Sequence, residues 1–286
     1  MASAGSIAGF VARALFAAAT ALATAACGGP TEAKSDRQGA ARIASLSPAL
    51  TATAAELGAG AAIVGRTPWC TAVDASVPVL GSLVDCDLER LVSLRPTLLL
   101  VQSRTPSDDL VQVARAHGID LRCWHLDSVQ DVQTMVHELG REVQARGIAG
   151  AQAAADAIVS AHLQAVQEPL GERAPTLLLF STDPPMAFGV GTYPDGLWRG
   201  MGGANAIDAP GYPQLGAEDI VRLAPARTVV VGRGAIPDWL HRATRGPVVM
   251  LDAPFLLEPG ARMLRDGPPA LRAAAASDGG PVEVPP

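Results

Sequence analysis

The residue types that most often carry out chemistry in proteins do not form a catalytic or metal-binding pattern in this sequence. Its five histidines are never four residues apart or at another metal-ligand spacing: His117, His125, His137, His162 and His241. No Gly-x-Ser-x-Gly motif is present, and Gly189-Val190-Gly191 is too short for a dinucleotide fingerprint. The sequence therefore predicts no enzyme, no cofactor and no metal site.

The acidic residues Glu89 and Glu218 occupy equivalent positions in an internal repeat. Residues 87–96 and 216–225 share glutamate, valine, leucine and proline at one constant offset of 129 residues, and each block precedes an apolar segment. An acidic residue near a helix N-terminus is favourable by itself, at about 0.3–1 kcal/mol. Alternatively, two such sites would suit docking on a pseudo-symmetric partner that carries basic residues.

The first 27 residues have the character of an export signal. Arg13 precedes an uncharged run from Ala14 to Ala26, and the run ends at Cys27. This pattern predicts a lipoprotein-type signal over residues 1–27 with Cys27 lipidated, followed by a flexible tether over residues 28–40. The protein would then be extracytoplasmic, in the periplasm or at the cell surface, and anchored to a membrane. Plain secretion and an uncleaved anchor are the alternatives.

Composition favours a two-lobed globular protein. Apolar residues make up 49% of the 286 residues, which is enough for two lobes of about 120 residues each. The net charge of −6 argues against a nucleic-acid partner. Outside the signal, Cys70, Cys86 and Cys123 leave a disulfide possible after export, and a metal-ion binder that uses Cys70, Cys86 and His125 is an alternative.

Strand-like and helix-like segments alternate on both sides of a helical stretch. This alternation predicts α/β lobes with mostly parallel sheets over residues 41–127 and 171–276. Between them, residues 128–170 show helical periodicity and predict a long connector, with two packed helices as the alternative. The Gly- and Pro-containing residues 277–286 are predicted to be a disordered tail.

Several segments in a fixed order resemble the cobalamin- and ferric-siderophore-binding class of periplasmic binding proteins. They are residues 42–67, Trp69-Cys70, residues 80–101, 177–185, 202–207 and 212–225, and Arg262-Met263. The resemblance implies two pseudo-symmetric lobes joined by one long α-helix, with little closure on ligand binding. It implies that Glu89 and Glu218 meet arginines of an ABC transporter permease, which works with its ATPase.

The resemblance also assigns a ligand cleft between the lobes, with cobalamin binders as the nearest match. Aromatic cleft positions correspond to Trp69, Phe180, Tyr212 and Phe255. Leu83 and Gln102 stand where cobalamin binders have tryptophan, and Glu258 falls near a family arginine. Aromatic walls suit a large, flat organometallic ligand such as a corrinoid, haem or a ferric siderophore. A cleft-bearing lipoprotein that has lost its transporter is the further alternative.

Overall fold

The amino-terminal lobe is a four-stranded parallel sheet flanked by helices. The computed structural model describes residues 41–171 and 173–284. This lobe consists of β1 (Ile43–Ser45), α1 (Pro48–Ala54), β2 (Ile63–Gly65), α2 (Leu88–Ser93), β3 (Leu98–Gln102), α3 (Asp108–Ala116) and β4 (Asp120–Trp124). The strand order is β2-β1-β3-β4, and all neighbours pair in parallel. The carboxyl ends of all four strands therefore lie on one edge.

The ends of α1 follow from local sequence chemistry. The Ser47 side chain accepts a hydrogen bond from the backbone N–H of Leu50 at 3.3 Å, and Pro48 occupies the first turn. A wider π-helical turn, Ala55–Ala59, continues the helix to Gly58, whose φ of 85° only glycine adopts readily. These signals place the start of α1 directly after β1, at the carboxyl edge of the sheet.

Two helices, rather than one, join the lobes. They are α4 (Val129–Gln144) and α5 (Ala151–Ala165). The prediction of a single long helix is wrong because Gly147 and Gly150 adopt φ values of 91° and 80°, which end one helix before the next begins. The two helices pack closely where Gly140 meets Ala155, since a Cβ added to Gly140 would lie 2.7 Å from the Cβ of Ala155.

The carboxy-terminal lobe contains a six-stranded sheet. Its elements are β5 (Pro175–Thr182), β6 (Pro185–Ala187), α6 (Tyr193–Gly200), β7 (Ala204–Asn205), α7 (Ala217–Leu223), β8 (Arg227–Val231), α8 (Asp238–Ala243), β9 (Val248–Asp252), α9 (Ala261–Ala276) and β10 (Gly280–Glu283). The strand order is β10-β9-β8-β5-β6, with β7 also beside β5 and β6 the antiparallel member. Two sheets of mostly parallel strands confirm the predicted fold class.

The end of the chain departs from the prediction. Residues 280–283 were expected to be disordered, but they form β10, which pairs in parallel with β9 from Gly280–Val249 to Glu283–Asp252. The hydrogen bonds of a sheet edge order this segment, although its own composition gives little reason for a strand. Residues 285 and 286 lie outside the described residues.

The internal sequence repeat is matched by a repeat of secondary-structure elements. The 129-residue offset that relates Glu89 to Glu218 also relates the first residues of α2 and α7 and both ends of β3 and β8. It further relates Arg95 and Ala224, two non-glycine residues with positive φ, at 47° and 45°. Both precede a proline and turn the chain from helix to strand. The two lobes therefore contain the same helix–turn–strand unit.

One apolar core runs through both lobes. It includes Ile43 and Leu100 from the first sheet, Met135 from α4, Leu251 from the second sheet and Leu264 from α9. Smaller clusters cover the outer face of each sheet. The lobes therefore share a close-packed interior, which resists large hinge motion.

Candidate functional site

A cavity of about 590 Å³ lies between the two lobes, next to the carboxyl ends of their strands. The amino-terminal lobe contributes Pro48, Ala49, Ala52, Ala55, Glu56, Thr71 and Ala72. The carboxy-terminal lobe contributes Pro254, Phe255, Glu258, Gly260, Ala261 and Arg262. Open α/β sheets bind ligands outside the carboxyl ends of their strands, so this is a ligand-binding position for the fold.

Small residues on α1 and at the start of α9 leave room for the cavity and allow the two helices to pack closely. Ala49, Ala52 and Ala55 recur at near-helical spacing along one wall, and their short side chains leave the cavity open. Below it, the backbone N–H of Ala261 donates to Thr53 Oγ1 at 3.1 Å. A Cβ on Gly260 would lie 2.9 Å from that same oxygen, so glycine permits the approach of α9 to α1. The lobes are thereby joined directly beneath the cavity.

The charged groups of the cavity are unequally compensated. Glu56 pairs with Arg265 at 2.5 Å. Arg262 pairs with Asp266 at 3.2 Å, and its guanidinium lies 4.8 Å from the centre of the Phe255 ring. Within the described residues Glu258 has no ion pair, and loss of hydration raises its pKa above the ordinary value. The cavity therefore presents one unpaired acidic group.

An aromatic cluster lies at the other end of the cleft. Phe180 on β5 contacts Phe188 at 4.9 Å between ring centres and meets Tyr212 edge to face at 5.8 Å. Tyr212 is 42% exposed. Burial, and next the charge of Asp127 from the other lobe, raise the pKa of Tyr212. Asp127 follows β4, so the cluster and this edge of the first sheet face one another across the cleft.

The charge of Asp127 is held by basic neighbours. Asp127 Oδ2 accepts from Arg104 at 3.3 Å and is hydrogen bonded to His125 Nε2. Both basic side chains come from the ends of neighbouring strands of the first sheet. Unlike Glu258, Asp127 is therefore compensated within its own lobe.

The structure separates the cleft residues suggested by the resemblance into three groups. Phe255 and Glu258 line the cavity. Phe180 and Tyr212 belong to the aromatic cluster. Trp69 follows β2 with 63% of its surface exposed, and it does not line the cavity.

The remaining two predicted cleft residues have partners inside the first lobe. Gln102 ends β3 at the cleft edge, and its Oε1 accepts a hydrogen bond from Ser47 Oγ at 2.7 Å. Leu83 is partly buried and packs on the outer core of the first sheet. Neither lines the cavity.

Sequence reasoning missed some of the residues that build the cleft. Thr71 and Ala72 line the cavity, and Phe188 completes the aromatic cluster, yet none stands in a motif. The helical spacing of the α1 alanines was a usable signal for a smooth wall. Asp127, by contrast, could be placed opposite Tyr212 only once both sheets were known.

Glu89 and Glu218 occupy the same place in their respective lobes. Each is the second residue of a short helix, α2 or α7, and each is exposed. No ion pair among the described residues involves either carboxylate. The two side chains are thus free to meet an external partner.

The cysteines that the structure describes are all unpaired thiols. Cys70 is buried between two hydroxyl groups, with Sγ 3.1 Å from Thr51 Oγ1 and from Thr67 Oγ1. Cys86 is partly buried, and desolvation raises its pKa to about 11; Cys123 is exposed. In residues 41–171 and 173–284 no group of three or more His, Cys, Asp or Glu side chains is arranged to hold a metal ion.

Membrane attachment concerns residues that lie largely outside the structural description. The predicted signal, Cys27 and the tether fall among residues 1–40, which are not described. In the part of the chain that is described, every helix is too short or too polar to cross a membrane.

Solved structures with this fold include binding proteins for haem, vitamin B12 and a ferric siderophore. The haem-binding protein RhuT from Roseiflexus sp. RS-1 is 22% identical, with a TM-score of 0.63 over 83% of this chain and 100% of its own. The vitamin B12-binding protein BtuF of Vibrio cholerae is 17% identical, with a TM-score of 0.63 over 83% and 99%. The siderophore-binding protein FhuD from Vibrio cholerae, solved with Fe³⁺-Desferal, is 16% identical, with a TM-score of 0.59 over 83% and 99%.

Sequence comparison identifies the family. No curated protein sequence matches the chain. A family model described as periplasmic binding protein matches residues 43–248, which is well over half of the chain. The match confirms the resemblance noted in the sequence, and together with the two-lobed fold it shows that this chain belongs to the periplasmic binding protein family.

Proposed function

We propose that this protein is the extracytoplasmic solute-binding component of an ABC importer. It captures a corrinoid, haem or a ferric siderophore between its lobes and delivers the ligand to the permease. The observation that supports this proposal is the cavity of about 590 Å³ at the carboxyl ends of both sheets, with aromatic side chains at either end of the cleft.

The dimensions and surfaces of the cleft suit a bulky ligand. Small-molecule sites usually measure roughly 300–1,000 Å³, and this cavity falls within that range. Tyr212 also lies close enough to Asp127 of the other lobe for that charge to raise its pKa, which supports a cleft that extends beyond the cavity. Exposed aromatic faces at Trp69 and Tyr212 offer stiff, flat contact surface, which fits a macrocycle or a metal chelate.

A tryptophan-fluorescence titration of the fragment from residue 28 tests the binding role. The panel contains cobalamin, cobinamide, haem, several ferric siderophores and zinc, with correction for absorbance by the coloured ligands. Saturable quenching by one organometallic ligand, with weaker affinity in Trp69→Ala, is the expected result. Trp239→Phe is the matched control because Trp239 packs on the outer core of the second sheet. A response to zinc alone, or to nothing, would refute the proposal.

We further propose that Glu89 and Glu218 dock the two lobes on the permease. They are equivalent by the internal repeat, exposed, and unpaired within the described residues, so arginines of a two-fold partner can reach both. Reversing both charges with lysine should abolish ligand uptake by cells while the purified protein keeps its affinity. Asp109→Lys, an exposed change on α3, is the control. Loss of ligand affinity in the double variant would contradict the docking role.

Cys27 is proposed as the lipid attachment site that keeps the protein at the membrane. The protein should partition with membranes, and Cys27→Ser should release it into the soluble fraction. Mass spectrometry of the mature amino terminus gives an independent readout. An unmodified, soluble wild-type protein would indicate plain secretion instead.

A further inference from the structure

Glu258 is the unmatched charge of the interlobe cavity. Three charged residues line this space, Glu56, Glu258 and Arg262. Glu56 has Arg265 as its counter-ion and Arg262 has Asp266, at 2.5 Å and 3.2 Å. Within the described residues no basic side chain lies within 4.0 Å of the Glu258 carboxylate. The charge left over in the cavity is therefore negative.

The neighbouring guanidinium does not cancel this charge. Arg262 packs its guanidinium over the Phe255 ring, and its Nε donates to Asp266 Oδ2. The second acidic group of the cleft, Asp127, is already bound by Arg104 and His125. Glu258 is thus the acidic side chain of the cavity that remains free to bind a partner from outside the protein.

Glu258 is an exposed side chain, so water still reaches its carboxylate when the cavity is empty. The cavity walls remove part of its hydration, which raises its pKa, and the described residues supply no basic side chain that would lower it. A ligand that brings a positive charge to this position restores the balance through a charge-assisted hydrogen bond. A ligand that brings a carboxylate, such as a haem propionate, meets like charge instead.

We infer that the cavity selects metal chelates with a protonated amine arm, and that Glu258 binds this arm beside the Phe255 ring. The inference rests on the proposed function because it concerns the same cleft. Phe255 and the alanines of α1 provide apolar surface next to this contact, against which the rest of the chelate can pack. Glu258 thereby becomes a specificity-determining residue of this chain.

A matched pair of ligands tests the inference. Ferric desferrioxamine B ends in a primary amine, and its N-acetyl derivative carries the same chelate without the positive charge. Isothermal titration calorimetry of the fragment from residue 28 should show at least about tenfold tighter binding of the amine form. In Glu258→Gln the two forms should bind equally. Asp278→Ser, which removes an exposed charge at the opposite edge of the second sheet, should keep the preference.

The outcomes separate this inference from the proposed function. Equal affinity of the wild-type protein for both forms, or an unchanged preference in Glu258→Gln, would overturn the role of Glu258. Binding of cobalamin or haem with neither ferric form bound would also overturn it, while the importer role would stand. Failure of every organometallic ligand to bind would overturn the proposed function itself.

Discussion

His162 supplies a hydrogen bond that α9 cannot make for itself. Pro268 and Pro269 lie inside α9, and Pro268 has no N–H to donate to the carbonyl of Leu264 four residues earlier. His162 Nδ1, on α5, lies 3.0 Å from that carbonyl, and the histidine is 2% exposed. Because a carbonyl only accepts, Nδ1 must carry the proton. The ring therefore joins α5 to α9 through the proton on Nδ1.

Removing this donor should destabilise the protein measurably. His162→Leu fills the same space with an apolar side chain but leaves the buried Leu264 carbonyl without a hydrogen-bond donor. The free energy of unfolding should fall by about 1–3 kcal/mol. For a chain of this size each kcal/mol lowers Tm by roughly 2–4 °C. Thermal unfolding followed by circular dichroism, together with urea unfolding, measures both quantities.

A double-mutant cycle isolates the interaction. Pro268→Ala restores an N–H that can bond to the Leu264 carbonyl, so His162→Leu should cost less in that background. Equal costs in both backgrounds would refute the idea that His162 compensates for the proline. Such a result would assign the effect to lost packing alone.

The same contact predicts a dependence on pH. Burial lowers the pKa of His162 below its usual 6.5, although the bond to Leu264 opposes this shift. Below about pH 6.5 the unfolded chain takes up a proton that the folded protein resists. The stability contributed by His162 is thus fully present above pH 6.5 and is lost as the pH falls toward its folded pKa. The difference in free energy of unfolding between wild type and His162→Leu should therefore shrink at pH 5.

Other features of the fold predict separate outcomes. Gly140→Val should lower the free energy of unfolding by about 1–3 kcal/mol in urea, because the new side chain would collide with Ala155; unchanged stability would contradict close packing of α4 on α5. Ala224→Gly should raise stability by up to about 1 kcal/mol, since glycine adopts the φ of 45° without strain, and a loss would argue against that backbone shape. In the fragment from residue 28, Cys123 should react with iodoacetamide in the folded state and Cys70 only after unfolding; mass spectrometry that finds a disulfide would contradict three free thiols.

Local signals predicted most of the architecture. Ser47 and Pro48 fixed the start of α1, and alternation of strands and helices indicated two parallel α/β lobes. The sequence repeat around Glu89 and Glu218 predicted equivalent helices in the two lobes. The structure adds that the helix starts and the strand ends keep the same offset. These features depend on neighbouring residues, so sequence reasoning can reach them.

The errors came from interactions between distant residues. The alanine-rich run after Gly150 favoured one continuous helix, whereas packing of Gly140 on Ala155 requires the chain to turn back. Residues 280–283 have weak strand character and become ordered by pairing with β9. The ion pairs at the cavity also depend on distant residues. Glu56 and Arg265 are 209 residues apart, and no local sequence pattern predicts their pairing. The unpaired state of Glu258 could therefore be recognised only in the folded chain.

The apolar core shared by the two lobes limits the ways in which a permease could recognise the ligand-bound protein. Residues of both sheets, α4 and α9 pack in one apolar cluster, and α9 is bonded to α1 beneath the cavity. A large closing motion would have to break these contacts, so under the proposed function we expect the cleft to keep nearly the same shape when a ligand binds. The separation of Glu89 and Glu218 then stays fixed as well, and it cannot by itself tell a permease whether the protein is loaded. Under the proposed function, that distinction has to come from other exposed surface, such as Trp69 or the part of the bound ligand that the lobes leave uncovered.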